Sequence, residues 1–282
     1  MSDATSQPAE QQPPAAPVET VRDGAVATIR LLRPEAMNSL DRATKVALLG
    51  ALQSVADDPE VRAVVLTGTG RAFSAGQDLR EHVADLRAAG SGDDASSFAL
   101  GSTVREHYNP IATLIATMPK PVIAAVNGVA AGAGASFAFA ADVRLVAESG
   151  GFNLAFSAIA LSCDSGSSWW LPRLVGVAKA KDLLLFPRTV RAQEALELGL
   201  ATRVVPDDEL PAAAAELAQQ LAAGPTLAYA SIRRAVVFSA THDLAESLEH
   251  EAQLMDLTGA SGDHQRAVEA FVAKQPPTFL GR

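Results

Sequence analysis

The sequence predicts a layered α/β fold, and three observations carry that prediction. Two β-branched or small apolar runs, VRAVVLTG (61–68) and PVIAAVNG (121–128), have the length and composition of buried strands. Stretches with apolar residues at helical spacing, such as DRATKVALLGALQSVADD (41–58), alternate with them. From about residue 177 onward almost every segment has helical spacing. Strands that alternate with helices place a sheet in the core with helices packed on it.

The elements follow in chain order. Residues 1–17 are rich in Pro, Ala, Gln and Glu and lack periodicity, so a disordered tail is expected there. GAVATIRLL (24–32) alternates as a strand does. RPEAMNSL (33–40) is a loop, and Asp41 is placed to cap the helix that follows. The strand ending at Gly68 runs into a small-residue loop, GTGRAFSAGQDL (68–79). The residues after it, LREH, do not open a convincing apolar helix. A long amphipathic helix is expected over roughly 97–117. The strand 121–128 runs into a second small-residue segment, VAAGAGAS, whose continuation SFAFAA is helical in composition. DVRLVAE (142–148) reads as a third buried strand, and TRVVP (202–206) as a short strand inside the helical C-terminal third. Amphipathic helices in such a terminal region commonly pack on a neighbouring subunit.

Composition narrows the function. The chain has 282 residues, 48% hydrophobic, enough for one large core or two small ones. Its formal net charge is −9 and no basic cluster stands out, which argues against nucleic acid and anionic membranes as partners. The single cysteine, Cys163, excludes an internal disulfide and a thiolate zinc cluster, and fits a reducing cytoplasm. The N-terminus lacks the basic and apolar regions of a signal peptide. VIAAVNGVAAGAGASFAFAA comes nearest to a membrane span, but its Asn and glycines and the DVR after it favour a strand and a helix of a soluble fold. The five histidines show no zinc spacing beyond a surface-type pair, His242 and His250, so no metal is expected.

The two small-residue loops admit three readings. Gly68-x-Gly70-x-x-Phe73 and Gly132-x-Gly134-x-x-Phe137 each lack the third glycine of a dinucleotide fingerprint, and no acidic residue ends a second strand at the required distance. A Walker pattern is absent. Both loops can be plain strand-to-helix turns. They can also bring backbone N–H groups against a ligand, as an oxyanion hole requires, because small residues permit close approach.

One carboxylate stands out. In ALSCDSGSSWW (160–170), Asp164 lies among apolar residues, where ionisation is unfavourable. On the residues alone, an N-cap for the following helix is the favoured reading. A carboxylate with a raised pKa, fit for proton transfer, is the alternative.

RPEAMNSL (33–40), AFSAGQDL (72–79), VNGVAAGAGASFAFAADVRL (126–145) and FNLAFSAIALSCDSGSSWWLPRLVG (152–176) together resemble the enoyl-CoA hydratase/isomerase, or crotonase, superfamily, over nearly the whole chain from about residue 18. The resemblance implies a spiral of ββα units over 18–200 and a helical C-terminal trimerisation region over 201–282. It also implies a homotrimer or a dimer of trimers, and an acyl-CoA substrate. Transferred residue by residue, the oxyanion hole falls on the amides of Gln77 and Ala133, the second commonly a glycine in the family. CoA or substrate contacts fall on Ala36, Met37, Ala75, Gly76, Asp78 and Leu79. The two glutamates of the hydratases fall on Ser136 and Phe156, so both are lost.

Asp164 sits where isomerase branches keep a catalytic carboxylate. The surrounding motif resembles the ring-epoxide isomerases of phenylacetate catabolism and Δ3,Δ2-enoyl-CoA isomerases. The dienoyl-CoA isomerases are a looser match, because their partner carboxylate falls on Phe156. With the resemblance, Asp164 becomes the candidate proton shuttle, in a site kept dry by Phe156, Ile159, Leu161 and Trp169. No cofactor is expected beyond the CoA of the substrate. An enoyl-CoA hydratase of fatty acid metabolism, a non-catalytic acyl-CoA-binding protein and, last, an NAD-linked reductase are the alternatives.

Overall fold

A computed structural model describes residues 16–90 and 100–282. The first fifteen residues of the expected tail lie outside the described residues. The chain opens with a hairpin, β1 (Val18–Asp23) and β2 (Val26–Leu31), turning at Gly24 with φ +56°. Helix α1 (Arg42–Asp57) follows, with the Asp41 side chain accepting from the Thr44 amide as expected of an N-cap. Then come β3 (Ala63–Gly68), β4 (Ala72–Ser74) and α2 (Leu79–Gly90).

The helix expected over 97–117 is described as α3 (Leu100–Thr103), a π-helical turn at Val104–Tyr108, and α4 (Asn109–Thr117). Next are β5 (Val122–Val126), β6 (Val129–Ala131), α5 (Ala133–Ala140), β7 (Val143–Ala147) and β8 (Gly151–Asn153). Thus the apolar stretch 122–141 is two strands and a short helix, and among the described residues no helix is long and apolar enough to cross a membrane. The chain continues through α6 (Ser167–Val175), α7 (Val177–Leu185), β9 (Thr189–Arg191), α8 (Ala192–Glu197), β10 (Arg203–Val205), α9 (Leu210–Ala222), α10 (Thr226–Ser239), α11 (Leu244–Gly259) and α12 (Gly262–Val272).

Two sheets result. The larger has the order β1-β2-β3-β5-β7-β10 and is parallel from β2 onward; the smaller has the order β4-β6-β8-β9. Each long strand of the first sheet passes directly into a short strand of the second: β3 into β4, β5 into β6, β7 into β8. Repeating that unit with a helix after each pair gives the ββα spiral that the resemblance implied.

Side-chain alternation explains why β3 and β5 read as continuous apolar runs. Val64, Leu66, Val122, Ala124 and Val126 face one core, shared with α1, α4 and α5. Ala63, Val65, Ile123 and Ala125 face a second core, closed by Leu210, Ala214, Leu217 and Ala218 of α9. A strand buried on both faces loses its polar alternation. The region after residue 200 thus supplies a strand and a covering helix to the sheet, as well as the outer helices α10–α12.

Buried cations close helix ends. Lys120 Nζ donates to the carbonyls of Val55 (2.7 Å) and Asp58 (2.8 Å), at the C-terminus of α1. Arg233 of α10 donates to the carbonyls of Ile115 (2.6 Å) and Met118 (2.6 Å) at the end of α4, and pairs with Asp142 at 2.8 Å. Asp142 also accepts from the Val122 amide at 2.7 Å, which fixes the start of β5. These bonds satisfy carbonyls that a helix terminus leaves free, with the favourable sign of charge.

Candidate active site

The loop 33–40 is built around Asn38. This residue is fully buried at φ +54°, accepts from the Arg33 amide (2.9 Å), and donates to the carbonyls of Thr69 (2.8 Å) and Ala72 (2.7 Å). It therefore clasps the β3–β4 bend. Backbone bonds then join this loop to the next one: Ala75 N–H to Met37 O (2.9 Å), Leu40 N–H to Gly76 O (2.8 Å), and Asp78 N–H to Leu40 O (3.3 Å). The Asp78 carboxylate pairs with Arg33 at 2.9 Å and accepts from Ser39 and from the Arg80 amide, which opens α2. Burial alone would raise its pKa, but these donors hold it below the usual aspartate value.

The two small-residue loops meet at Gly76, whose φ is +80°. A Cβ there would stand 2.8 Å from the Ala131 carbonyl oxygen and 3.5 Å from the Ala133 amide nitrogen. Glycine thus serves both the left-handed turn and the close approach. Ala133 is the first residue of α5, and its N–H is one that the helix leaves free. Among the described residues, neither the Gln77 nor the Ala133 N–H has a hydrogen-bond acceptor. Two unpaired amides on abutting loops, one at a positive helix end, have the make-up of an oxyanion hole.

Two cavities open on either side of Gln77 and Leu79, which line both. The outer one, about 590 Å³, carries Ala36, Met37, Ala75 and Asp78 together with the guanidinium groups of Arg33, Arg71 and Arg80. The inner one, about 390 Å³, carries Tyr108, Val104, His82, Ile159, Leu161, Cys163 and Asp164. All the expected CoA contacts except Gly76 therefore gather in the outer cavity, and Gly76 forms the turn behind it. Their arrangement suits a thioester entering from the cationic outer cavity, with its carbonyl at the Gln77 amide and its acyl chain beyond.

Asp164 lies on a turn with two consecutive left-handed residues, Ser165 (φ +54°) and Gly166 (φ +86°). A Cβ on Gly166 would meet the Trp170 indole nitrogen at 2.7 Å. The N-cap of α6 is Gly166, with no side-chain cap. The backbone carbonyl of Asp164 accepts from the Ser167 amide at 2.9 Å, while the carboxylate accepts only the Ser165 hydroxyl (2.8 Å), among the described residues. The N-cap reading is thus corrected: the main chain closes the turn, and Asp164 lines the inner cavity. Burial raises its pKa above the usual value, partly offset by the Ser165 hydroxyl.

A buried network supports the first loop, and sequence reading missed it. The Gln77 side-chain oxygen accepts from the Tyr108 hydroxyl and from Lys45 Nζ at 3.3 Å. Lys45 is 3% exposed, donates to Thr103 Oγ1 at 2.9 Å, and approaches Glu81 at 3.7 Å. Burial lowers its pKa. Burial, with the charges of Asp164, Glu81 and Asp78, pushes the Tyr108 hydroxyl far above its usual pKa, so it stays neutral. A signal for Lys45 existed. It falls on the apolar stripe of α1 with Leu48, Leu52 and Val55.

The expected dry wall is only partly formed. Ile159 and Leu161 line the inner cavity but are 46% and 37% exposed. Trp169 faces a different groove, with Asn109 and Trp170, and stacks under the Arg173 guanidinium at 3.6 Å. Phe156 is buried, with its ring 3.9 Å from where a Cβ on Gly132 would stand. Ser136 is fully buried in α5, where it bonds to Ser167. Neither former glutamate position carries an ionisable group.

Spiral, hole and paired cavities define a CoA-thioester enzyme of the crotonase type. The chain belongs to the enoyl-CoA hydratase/isomerase family, whose model matches residues 22–282. It is 42% identical over 257 residues to a "Probable enoyl-CoA hydratase" of Rhodobacter capsulatus, covering 91% of this chain and 95% of that protein. It is 40% identical over 257 residues to the 1,2-epoxyphenylacetyl-CoA isomerase of Escherichia coli K12, with the same coverage. A crystal structure of a candidate enoyl-CoA hydratase/isomerase from Mycobacterium abscessus is 42% identical, with a TM-score of 0.87, covering 94% of this chain and all of that one.

Proposed function

We propose that this protein is an enoyl-CoA isomerase that moves a double bond by means of a single carboxylate. The observation that carries the reading is the distribution of acids around the hole. Asp164 is the carboxylate in the inner cavity, while Ser136 and Phe156 stand where the hydratase glutamates would be. Hydration by a pair of carboxylates lacks both of its members.

In this reading the thioester oxygen accepts from the Gln77 and Ala133 N–H groups. The Asp164 carboxylate removes a proton from the carbon next to the thioester of a 3-enoyl-CoA. The electron pair moves into the conjugated system, and the resulting dienolate is held by the two amides. The protonated Asp164 then returns its proton two carbons further along, which yields the 2-enoyl-CoA. Atoms and electrons balance within substrate and side chain, so the reaction needs no cofactor beyond the CoA the substrate carries. The raised pKa of Asp164 favours both transfers, because a weaker carboxylic acid is a stronger base. Similarity to the E. coli isomerase supports the reading; other relatives carry hydratase names, so residual hydration is the second reading.

Assembly as a trimer fits the apolar groups that the single chain exposes on α10 and α11, among them Ile232, Val236, Leu244 and Met255. The reaction is tested by incubating the protein with 3-hexenoyl-CoA and, separately, 2-hexenoyl-CoA in deuterated water. Migration of the double bond without a 3-hydroxy product supports the isomerase. A 3-hydroxyacyl product from either ester, with no migration, supports the hydratase. Tight binding of both esters without turnover supports a binding protein.

A further inference from the structure

The serine that replaces the first hydratase glutamate has two hydroxyl contacts, and one of them reaches the oxyanion hole itself. Ser136 Oγ lies 3.1 Å from the Gly132 carbonyl oxygen and 2.5 Å from Ser167 Oγ, with both serines fully buried. A carbonyl oxygen can only accept. Both contacts are satisfied together in one direction: Ser167 donates to Ser136, and Ser136 donates to Gly132.

The Gly132 carbonyl belongs to the peptide whose nitrogen is that of Ala133. The same oxygen also accepts the Ser136 amide at 3.1 Å. Donors on a peptide oxygen draw charge through the amide and make its N–H a stronger donor, as in any cooperative hydrogen-bond chain. They also fix the plane of the peptide, and so the direction in which the N–H points. Ser167 is the first residue of α6, and its amide bonds to the Asp164 carbonyl at 2.9 Å. The chain therefore runs from the turn that carries Asp164, through two hydroxyls, to the peptide that stabilises the enolate.

We propose that Ser136, held by Ser167, is a positioning residue that aligns and polarises the Gly132–Ala133 peptide as an oxyanion donor. The proposal rests on the hole assigned under the proposed function, but not on which carbon receives the proton. It gives the lost glutamate position a new role: the side chain works through the backbone instead of touching substrate. Ser136→Ala is suited to a test, because α5 is already built largely of alanine and a hydroxyl is all that is removed. Ser167→Ala leaves the Ser136–Gly132 bond but frees the Ser136 hydroxyl from the α6 turn.

The measurement is the ultraviolet absorbance of cinnamoyl-CoA bound to the wild type, each single variant and the double variant, with circular dichroism melts to verify folding. Bound cinnamoyl-CoA should absorb to the red of the free ester, because the hole draws charge onto the thioester oxygen. Ser136→Ala should shrink that shift and lower kcat on 3-hexenoyl-CoA about three- to tenfold, the worth of one hydrogen bond, with KM nearly constant. Ser167→Ala should have a smaller effect of the same kind. The double variant should be no worse than Ser136→Ala, since Ser167 acts through Ser136. An unchanged shift in folded Ser136→Ala overturns the proposal, as do effects of the two substitutions that multiply. A shift that depends on Ser136 without any double-bond migration keeps this inference and removes the isomerase. No shift in the wild type removes the hole and the inference together.

Discussion

Gly76 and Ala133, on different loops, approach so closely that a methyl group on the first would stand 3.5 Å from the amide nitrogen of the second. The small-residue character of both loops follows from that contact. Gly76→Ala should suffer twice. Its φ of +80° is unfavourable for alanine, and its Cβ would meet the Ala131 carbonyl at 2.8 Å. A loss of kcat/KM of at least about a hundredfold is expected, the scale of losing one oxyanion donor. The melting temperature should fall by only a few degrees, as expected of a loss of about 1 kcal/mol. Steady-state kinetics and a thermal melt on one preparation check both.

The acid limb of the pH–rate profile should belong to Asp164. The base must be ionised in the free enzyme, so kcat/KM should fall as pH drops through a value above the ordinary aspartate range. Ser165→Ala removes the hydroxyl that stabilises the carboxylate, so it should move that limb further up. A profile with its acid limb unmoved in Ser165→Ala contradicts this assignment.

The same carboxylate should lower stability near neutral pH. A raised folded pKa means that the folded state prefers the neutral acid more than the unfolded chain does. The contribution is thus favourable at low pH and is lost as pH rises through the folded value. Asp164→Asn should therefore melt at or above the wild-type temperature near neutrality, and the gap should close in acid. Melting curves across the acid range measure it.

Tyr108 and Lys45 should matter through Gln77. Tyr108→Phe removes one of two donors to the Gln77 side chain and should lower kcat about three- to tenfold. Because Tyr108 stays neutral, the wild-type profile should have no alkaline limb from it, so the variant should keep the wild-type pH dependence. Lys45→Met should lower kcat while leaving the melting temperature nearly unchanged, since a buried charge gives way to an apolar chain of similar length. Kinetics across pH, with melts, test the pair.

In the outer cavity, Arg71→Ala should raise KM for an acyl-CoA several-fold and leave kcat alone. Arg71 and Arg80 present charge beside Met37 and Ala75, and the phosphates of CoA are the anionic end of the substrate. The increase should shrink in high salt, as exposed charge interactions do. The same ester on pantetheine without the nucleotide should show no difference between the two proteins.

Much of this site could be read from the chain, and the rest was hidden for physical reasons. Asp41, the buried strands and the paired small-residue loops each left a local pattern, because each depends on neighbours in sequence. Helix α2 did not. Its first residues, Leu79, Arg80, Glu81 and His82, carry no apolar stripe, and Asp78 starts the helix with hydrogen bonds to the Arg80 and Glu81 amides. Strands β4, β6 and β8 have three residues each, too few for alternation to register. The Lys45–Gln77–Tyr108 network joins residues 32 and 31 positions apart, so only the fold brings them together. Trp169 was placed beside Asp164 by proximity in sequence, but it starts a helix that turns its ring the other way.

The central claim is that Asp164 moves the proton. Its direct test is Asp164→Asn, assayed for migration of the double bond of 3-hexenoyl-CoA in deuterated water, with binding of the same ester measured in parallel. Asparagine preserves shape and hydrogen bonding but cannot take the proton. Isomerisation and exchange at the carbon next to the thioester should fall together, on the order of 10²–10⁴-fold, while the dissociation constant stays within about threefold. Isomerisation at the wild-type rate in a folded Asp164→Asn protein would contradict the account.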